Sequence, residues 1–317
     1  MPIVTECAGV LKQAAKRWVR PLLIPIVRLC IRHAPHEKVR RALWIYLVAP
    51  FFQSANHSFV ATTLFGAIVS GNTEDVIQRY IFYFGFWEPN LTEFLKTRLI
   101  EGDVFVDVGA NIGYFTLLAS RLVGRAGKVI AIDASPTIFA KLLGNLKRNQ
   151  ATNVNALNVA VSDHTGTARV FLAPHSNIGE TSIIANEGLR YECDVFADSL
   201  DSLLAPEDVA KVRLVKIDVE GAEWLVIAGM RDFLRRGRPD LEVVIEMQPQ
   251  SIREHGKTVE EVFAVFSELG FFPYQIENDY SALSYMSRKD FKRPVRIRSR
   301  ISTQTDVVFS RKNADCL

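Results

Sequence analysis

Cysteine is scarce and scattered: Cys7, Cys30, Cys193 and Cys316 are the four in 317 residues. None forms a C-x-x-C pair or stands near a histidine at zinc-ligand spacing, which argues against a disulfide framework and a structural zinc site. Long apolar runs are also missing. Those at 42–52 and 59–69 are 11 residues each, well short of the roughly 20 that a bilayer-spanning helix needs. The first ten residues contain Glu6 and lack a basic start followed by an apolar stretch, so no secretory signal is read. These absences lead to the expectation of a cytoplasmic protein. There is no internal repeat and no low-complexity tract. The net charge of +3 is too small to argue for a nucleic-acid partner. No Asn-Pro-Pro-Tyr-like motif for a flipped base and no RNA module is found, so none is expected.

What is present is an ordinary globular balance, 48% apolar and 23% charged, in a chain long enough to bury a sizeable core. The charge is unevenly spread. Residues 1–50 hold nine Lys/Arg against two Glu, and a second basic run lies between Arg288 and Arg300. Residues 1–70 read as a helical, basic N-terminal extension punctuated by Pro21, Pro25, Pro35 and Pro50, with 71–317 as the main domain. Basic and apolar residues interleave near the start. Residues 10–52 are therefore candidates for peripheral membrane contact, and a helical cap on the main domain is the alternative. SGNTED, from Ser70, reads as a turn before a helix.

From about residue 98, strands and helices alternate. VFVDVG (104–109), KVIAID (128–133), VNALNVAVS (154–162), LVKID (214–218) and EVVIEM (242–247) are short apolar runs of the kind that strands buried on both faces show. Helices are expected after them, including 222–235 and 258–269. One starts at Ser135-Pro136, an N-cap followed by a first-turn proline. Segments 271–276 and 305–310 read as an antiparallel pair at the sheet edge. The pattern predicts an α/β fold with an open, mostly parallel sheet covered by helices on both faces. Residues 163–200 interrupt it with a strand, a turn and a short strand, an insertion suited to substrate contacts.

In such a sheet, ligands bind at the carboxyl ends of the strands. The first strand ends in Asp107-Val-Gly109-Ala-Asn111-Ile-Gly113. A dinucleotide site would want G-x-G-x-x-G to rest a pyrophosphate on the helix N-terminus. Here Asn replaces the middle glycine and an acid precedes the first. That acid would repel a pyrophosphate and attract a ligand with an ammonium and a sulfonium, as S-adenosylmethionine has. Asp133 ends the second strand, 20 residues after Gly113, where a carboxylate suits the two ribose hydroxyls. A second constellation, LVKIDVEGAE, crowds Asp218, Glu220 and Glu223 at the fourth strand's end, and Glu246 closes the fifth. Crowded acids raise one another's pKa, which makes a carboxylate a useful base. Asp218, Glu220 and Glu246 are the candidate catalytic residues. His255 is a weaker one, and Glu223 also reads as a helix-start acid. No ligand spacing requires a metal, and none is expected.

At these residues the sequence resembles the FkbM family of S-adenosylmethionine-dependent methyltransferases. The likeness rests on WEP (87–89), GDVFVDVGANIGYFTLLAS (102–120), NVAVSDHTG (158–166), NIGETS (177–182) and VKIDVEGAE (215–223), with looser matches at IEMQP and VVFSRK. It implies a class I methyltransferase Rossmann-like fold and, commonly, methylation of a hydroxyl on a sugar, glycan or natural product. It further implies that Asp107, Gly109, Asn111 and Gly113 surround the methionine part of the cofactor and that Asp133 holds the ribose. Ala160 and Asp163 would lie near the adenine, with Asp218 and Glu220 at the reaction site. Asp133 stands where many relatives have Glu. Residues 1–70 lie outside the likeness. The rival readings are a nicotinamide-dependent oxidoreductase, a nitrogen rather than oxygen acceptor, and a non-catalytic module acting through the basic N-terminal helices. The oligomeric state is not legible.

Overall fold

The computed structural model describes residues 23–51, 56–287 and 291–317. Residues 10–22, part of the expected membrane-contact segment, lie outside them. A helix over 23–33 is followed by a second, Glu37–Leu43, which continues through a π-helical stretch at Trp44–Val48 to Phe51. β1 (Ser58–Thr62) and β2 (Ile68–Asn72) form an antiparallel hairpin. The expectations of helix up to residue 70 and of a turn at Ser70–Asn72 are therefore corrected. Alternating burial along SFVAT is the period of a strand, not of a helix. The amide N–H of Ser70 donates to Asn145 Oδ1 at 2.9 Å and that of Ile68 to Asn149 Oδ1 at 2.8 Å, which docks β2 on the helix Pro136–Asn149. The helix Val76–Phe84 starts one turn later, where Asp75 Oδ1 caps the N–H of Gln78.

The remaining strands are β3 (Val104–Val108), β4 (Lys128–Ile132), β5 (Val154–Leu157), β6 (Ala160–Val161), β7 (Gly166–Leu172), β8 (Arg190–Asp198), β9 (Val212–Ile217), β10 (Glu242–Met247), β11 (Phe272–Ile276), β12 (Val295–Arg296) and β13 (Thr305–Ser310). Eight of them make one sheet in the order β12-β11-β13-β10-β9-β3-β4-β5. β5, β4, β3, β9 and β10 run parallel, and β13, β11 and β12 add antiparallel pairings. The fold is thus the expected α/β fold, an open, mostly parallel sheet with helices on both faces. β11 and β13 do pair antiparallel, but β13 sits inside the sheet between β10 and β11.

Three further expectations are corrected. VNALNVAVS is two strands, because the Asn158 amide donates to the carbonyls of Asp133 and Ala134 and turns the chain out of the main sheet. β6 then joins β8 and β7 in a separate three-stranded sheet, in which β8 is nine residues long rather than short. The helix expected over 222–235 is two, Glu223–Ala228 and Arg231–Arg236. They divide at Gly229, where a Cβ would lie 2.0 Å from the Ser162 carbonyl oxygen. The carboxylate of Asp201 accepts the N–H groups of Asp232 and Phe233 and starts the second helix.

Register assigns the side chains of the main sheet to two faces. Val106, Val215, Val243 and Val307 belong to one core with Phe233, Val262 and Phe266 from the covering helices. Phe105, Leu214, Val244 and Val308 belong to the other, with Leu95, Leu117, Leu118 and Leu142. A third cluster joins Ile24, Val27, Ile31, Trp44 and Val48 to Tyr80, Tyr83, Tyr285 and Met286, so the N-terminal helices pack on the body of the protein. Among the described residues no helix is long and apolar enough to cross a membrane.

Candidate active site

The ends of β3 and β9 meet at Gly109. Its φ is +80°, and a Cβ there would stand 1.7 Å from the carbonyl oxygen of Asp218, so only glycine allows the approach. The Asp218 N–H donates to the Val108 carbonyl at 3.0 Å and locks the two strand ends together. Gly113 (φ +90°) precedes the helix Tyr114–Val123, and a Cβ there would strike Leu142 Cδ1 at 2.6 Å. Gly113 does not line the crevice described below. Between the glycines, Asn111 has φ +51° and its N–H donates to Asp133 Oδ2 at 2.8 Å. The Ser135 N–H donates to Asp133 Oδ1 at 3.0 Å. The Asp133 carboxylate is therefore held rigidly at the end of β4, and about two of its roughly four acceptor positions remain for a ligand. Burial pushes its pKa up to about 7, against those two backbone bonds.

Gly109, Asn111, Asp133, Ala160, Asp218 and Glu220 line one narrow crevice along the carboxyl ends of β3, β4, β6 and β9. Its other wall is Ile178, Gly179, Thr181 and Ser182, from the NIGETS segment. Ser182 Oγ donates to the Glu220 carbonyl at 2.7 Å, which ties that wall to the β9 turn. Asp107 lies behind the crevice, 1% exposed. Thr116 Oγ1 donates to its Oδ2 at 2.6 Å, and its Oδ1 is buried without a hydrogen-bond partner. Burial raises its pKa to about 6. Asp163 is not brought to the crevice. Its carboxylate turns outward to His164 Nδ1 at 2.6 Å and Ser162 Oγ at 3.2 Å, and the hydrogen bond from His164 lowers its pKa. The chain has by then left the main sheet for β6, and Gly229 packs against its backbone. Of the two residues implied for the adenine, only Ala160 lines the crevice.

A second cavity, of about 1040 Å³, opens on the other side of the β9 and β10 ends. Phe65, Phe86, Tyr114, Tyr280, Tyr285 and Phe291 contribute to its walls, and Glu246 and Asp306 contribute carboxylates. Arg32 and His33 of the N-terminal helix also reach it. Carboxylate oxygens of Asp218, Glu220 and Glu246 lie within 4.8 Å of one another. This trio stands where the crevice and the cavity adjoin, since Asp218 and Glu220 line the first and Glu246 lines the second. Burial, then the charge of Asp218, pushes Glu220 up to about 8 against a 2.7 Å hydrogen bond from Gln248 Nε2. Burial and the neighbouring Asp218, Asp306 and Glu220 hold Glu246 well above the usual carboxylate range. Glu246 is registered opposite Asp306 across β10 and β13, a like-charge pairing that favours protonation. The sequence reading of the trio thus coincides in space.

Glu223 faces the turn, not the cavities: its Oε1 accepts the Gly221 N–H at 2.9 Å. His255 Nε2 lies 3.1 Å from the Gly221 carbonyl and lines neither cavity. Lys216, Glu88 and Asp306 are missing from the sequence reading. Lys216 interrupts the apolar end of β9, and Asp306 precedes the apolar run of β13; a charge beside such a run was the available signal. Glu88 is buried at φ +40° just before Pro89.

A family model described as methyltransferase FkbM domain matches residues 107–273. The chain is 29% identical over 163 residues to the 31-O-demethyl-FK506 methyltransferase FkbM of Streptomyces tacrolimicus, covering 43% of this chain and 62% of that protein. It is 30% identical over 148 residues to the hexuronic acid methyltransferase AglP of Haloferax volcanii, covering 47% and 58%. The chain spans about six-tenths of the length of the curated relatives it matches. Among solved structures, an S-adenosylmethionine-dependent O-methyltransferase from Thermotoga maritima aligns with a TM-score of 0.39 and 14% identity, over 80% of this chain and 76% of that one.

Proposed function

The chain belongs to the FkbM methyltransferase family, and on that premise we propose that it transfers a methyl group from S-adenosylmethionine to a hydroxyl on a sugar, glycan or natural product. S-adenosylmethionine is the methyl donor of this family, and when bound it supplies an electrophilic methyl group on a sulfonium. The crevice suits it. Asp133 offers free acceptor positions for ribose hydroxyls, the unpartnered Asp107 Oδ1 adds negative character behind the glycine turn, and the lining acids disfavour a pyrophosphate. Gly109 and Asn111 shape that turn, and Ala160 keeps the far wall small and apolar.

The observation that carries the proposal is the carboxylate trio between a narrow crevice at the strand ends and a separate aromatic cavity. A hydroxyl group held in the cavity meets acids at its inner end. A positioned carboxylate base is worth about 10² to 10⁴ in rate. Glu220, with its pKa near 8, is suited to accept the hydroxyl proton, while Glu246 and Asp218 orient the acceptor beside it. Six aromatic rings with carboxylates among them suit a sugar ring, which has apolar faces and a hydroxyl rim. Proton removal by these groups needs no metal, and none is proposed.

We assign residues 71–317 to the transferase domain and 1–70 to an extension whose described part supplies Arg32 and His33 to the acceptor cavity. Exposed Ile26, Leu29, Tyr46 and Phe51 on its helices suit peripheral contact with a membrane from the cytoplasmic side. The test is turnover: the purified protein, S-adenosylmethionine and a panel of hexoses, hexuronic acids and amino sugars, with S-adenosylhomocysteine and methylated product followed by mass spectrometry. Methyl ether formation, lost in Glu220→Gln, is expected. Product with methylated nitrogen and none with methylated oxygen would overturn the hydroxyl assignment.

A further inference from the structure

Among the described residues, Lys216 is the cation set among the carboxylates behind the transfer point, and no motif reading gives it a role. It is 4% exposed. Register places it between Asp107 on β3 and Val244 on β10, so it shares a sheet face with Asp107. Its Nζ donates to Asp218 Oδ2 at 2.8 Å and lies 5.2 Å from the centre of the Phe115 ring. Glu88, just before the helix Pro89–Arg98, and Asp306 at the start of β13 face the same charge. An isolated buried ammonium is costly. Here burial works against its charge, but Asp218, Asp107 and Glu88 outweigh it and hold Lys216 above the ordinary lysine pKa.

We propose that Lys216 is a positioning residue for methyl transfer, whose ammonium fixes Asp218 beside Glu220 and balances the acids of three separate sequence segments. This rests on the methyltransferase reading of the site. Those segments are WEP, DVGANIG and KIDVEG, represented by Glu88, Asp107 and Asp218. Lys216 gives them a common physical reason to occur together: each supplies a carboxylate to one buried cation. Without it, Glu88 and Asp107 would lose the charge that offsets their burial and take up protons, and Asp218 would lose the donor that orients it.

The test compares wild type, Lys216→Met and Lys216→Arg by two readouts. The first is the pH profile of kcat/KM for methyl transfer. Lys216→Met should move the acid limb upward by about one pH unit, an about tenfold loss on that limb that recovers at higher pH. Lys216→Arg, which keeps the charge, should leave the limb near its wild-type position. The second readout needs no cofactor: the melting midpoint of the ligand-free protein at pH 6 and at pH 8.5. The gap between the two should widen in Lys216→Met and stay near wild type in Lys216→Arg. An equal fall in midpoint at both pH values with an unmoved acid limb would show simple packing and overturn the proposal. A limb displaced in Lys216→Arg as far as in Lys216→Met would overturn it too. If wild type transfers no methyl group while the melting gap widens as described, the methyltransferase reading fails and the charge-balancing role stands.

Discussion

The two faces of the central sheet differ at the carboxyl ends of the parallel strands. On one face Val106, Val215, Val243 and Val307 continue into Val108, Ile217 and Ile245 without a polar atom. On the other, Phe105, Leu214, Val244 and Val308 give way at the same level to Asp107, Lys216, Glu246 and Asp306. Both faces are covered by helices, so burial does not explain the change. The aliphatic face has a packing task alone. The other face holds ionisable groups at strand ends where two cavities adjoin, at a cost in stability that a purely structural sheet would not carry. The difference marks the side of the sheet on which we propose that methyl transfer takes place.

The sharpest way to break the contrast is to move a charge to the wrong face. Val215→Asp buries a carboxylate with no partner, and the expected loss is about 3–5 kcal/mol of unfolding free energy, or no folded protein. Asp107→Asn, one strand away on the other face, should fold with stability at pH 8 equal to or above wild type. Denaturant unfolding of both variants checks this, and equal losses would erase the distinction between the faces.

A second expectation concerns pH. Asp107, Asp133 and Glu220 stand near 6, 7 and 8 in the folded protein, raised from 3.8, 3.8 and 4.5. Between those limits the folded protein holds more protons than the unfolded chain. Their contribution to stability is therefore greatest below about pH 4 and is lost as pH rises through 6 to 8. The ligand-free melting midpoint should fall from pH 6 to 8.5, and Glu246→Gln should flatten that fall while lowering turnover on the order of 10². A flat wild-type profile would contradict the buried, protonated acids. The smallest effect expected is that of a chelator: EDTA should leave the methyl-transfer rate unchanged. Loss of activity restored by Mg²⁺ would reassign the trio.

Much of this was legible in the sequence because local chemistry and fold agree there. Short apolar runs ending in Asp107, Asp133, Asp218 and Glu246 announced strand ends at a ligand site, and the structure places those acids at the carboxyl ends of neighbouring parallel strands. Illegible were features decided by distant contacts. Gly229 stands where a helix divides, and a side chain there would meet the Ser162 carbonyl, 67 residues away in sequence. The 58–72 hairpin lies in an apolar stretch whose composition suits a helix, and only the alternating burial of SFVAT marks it as a strand. Asp163 carried the right chemistry but faces outward, since Asn158 diverts the chain from the main sheet. Lys216 became meaningful only when strand register set it beside Asp107.

The most direct measurement of the central claim is calorimetric titration of the protein with S-adenosylmethionine, beside an Asp133→Ala variant and a nicotinamide adenine dinucleotide control. Saturable binding of S-adenosylmethionine, weakened about 10- to 100-fold in the variant and absent for the dinucleotide, is the predicted result. A folded wild-type protein that binds the dinucleotide and not S-adenosylmethionine would contradict the account.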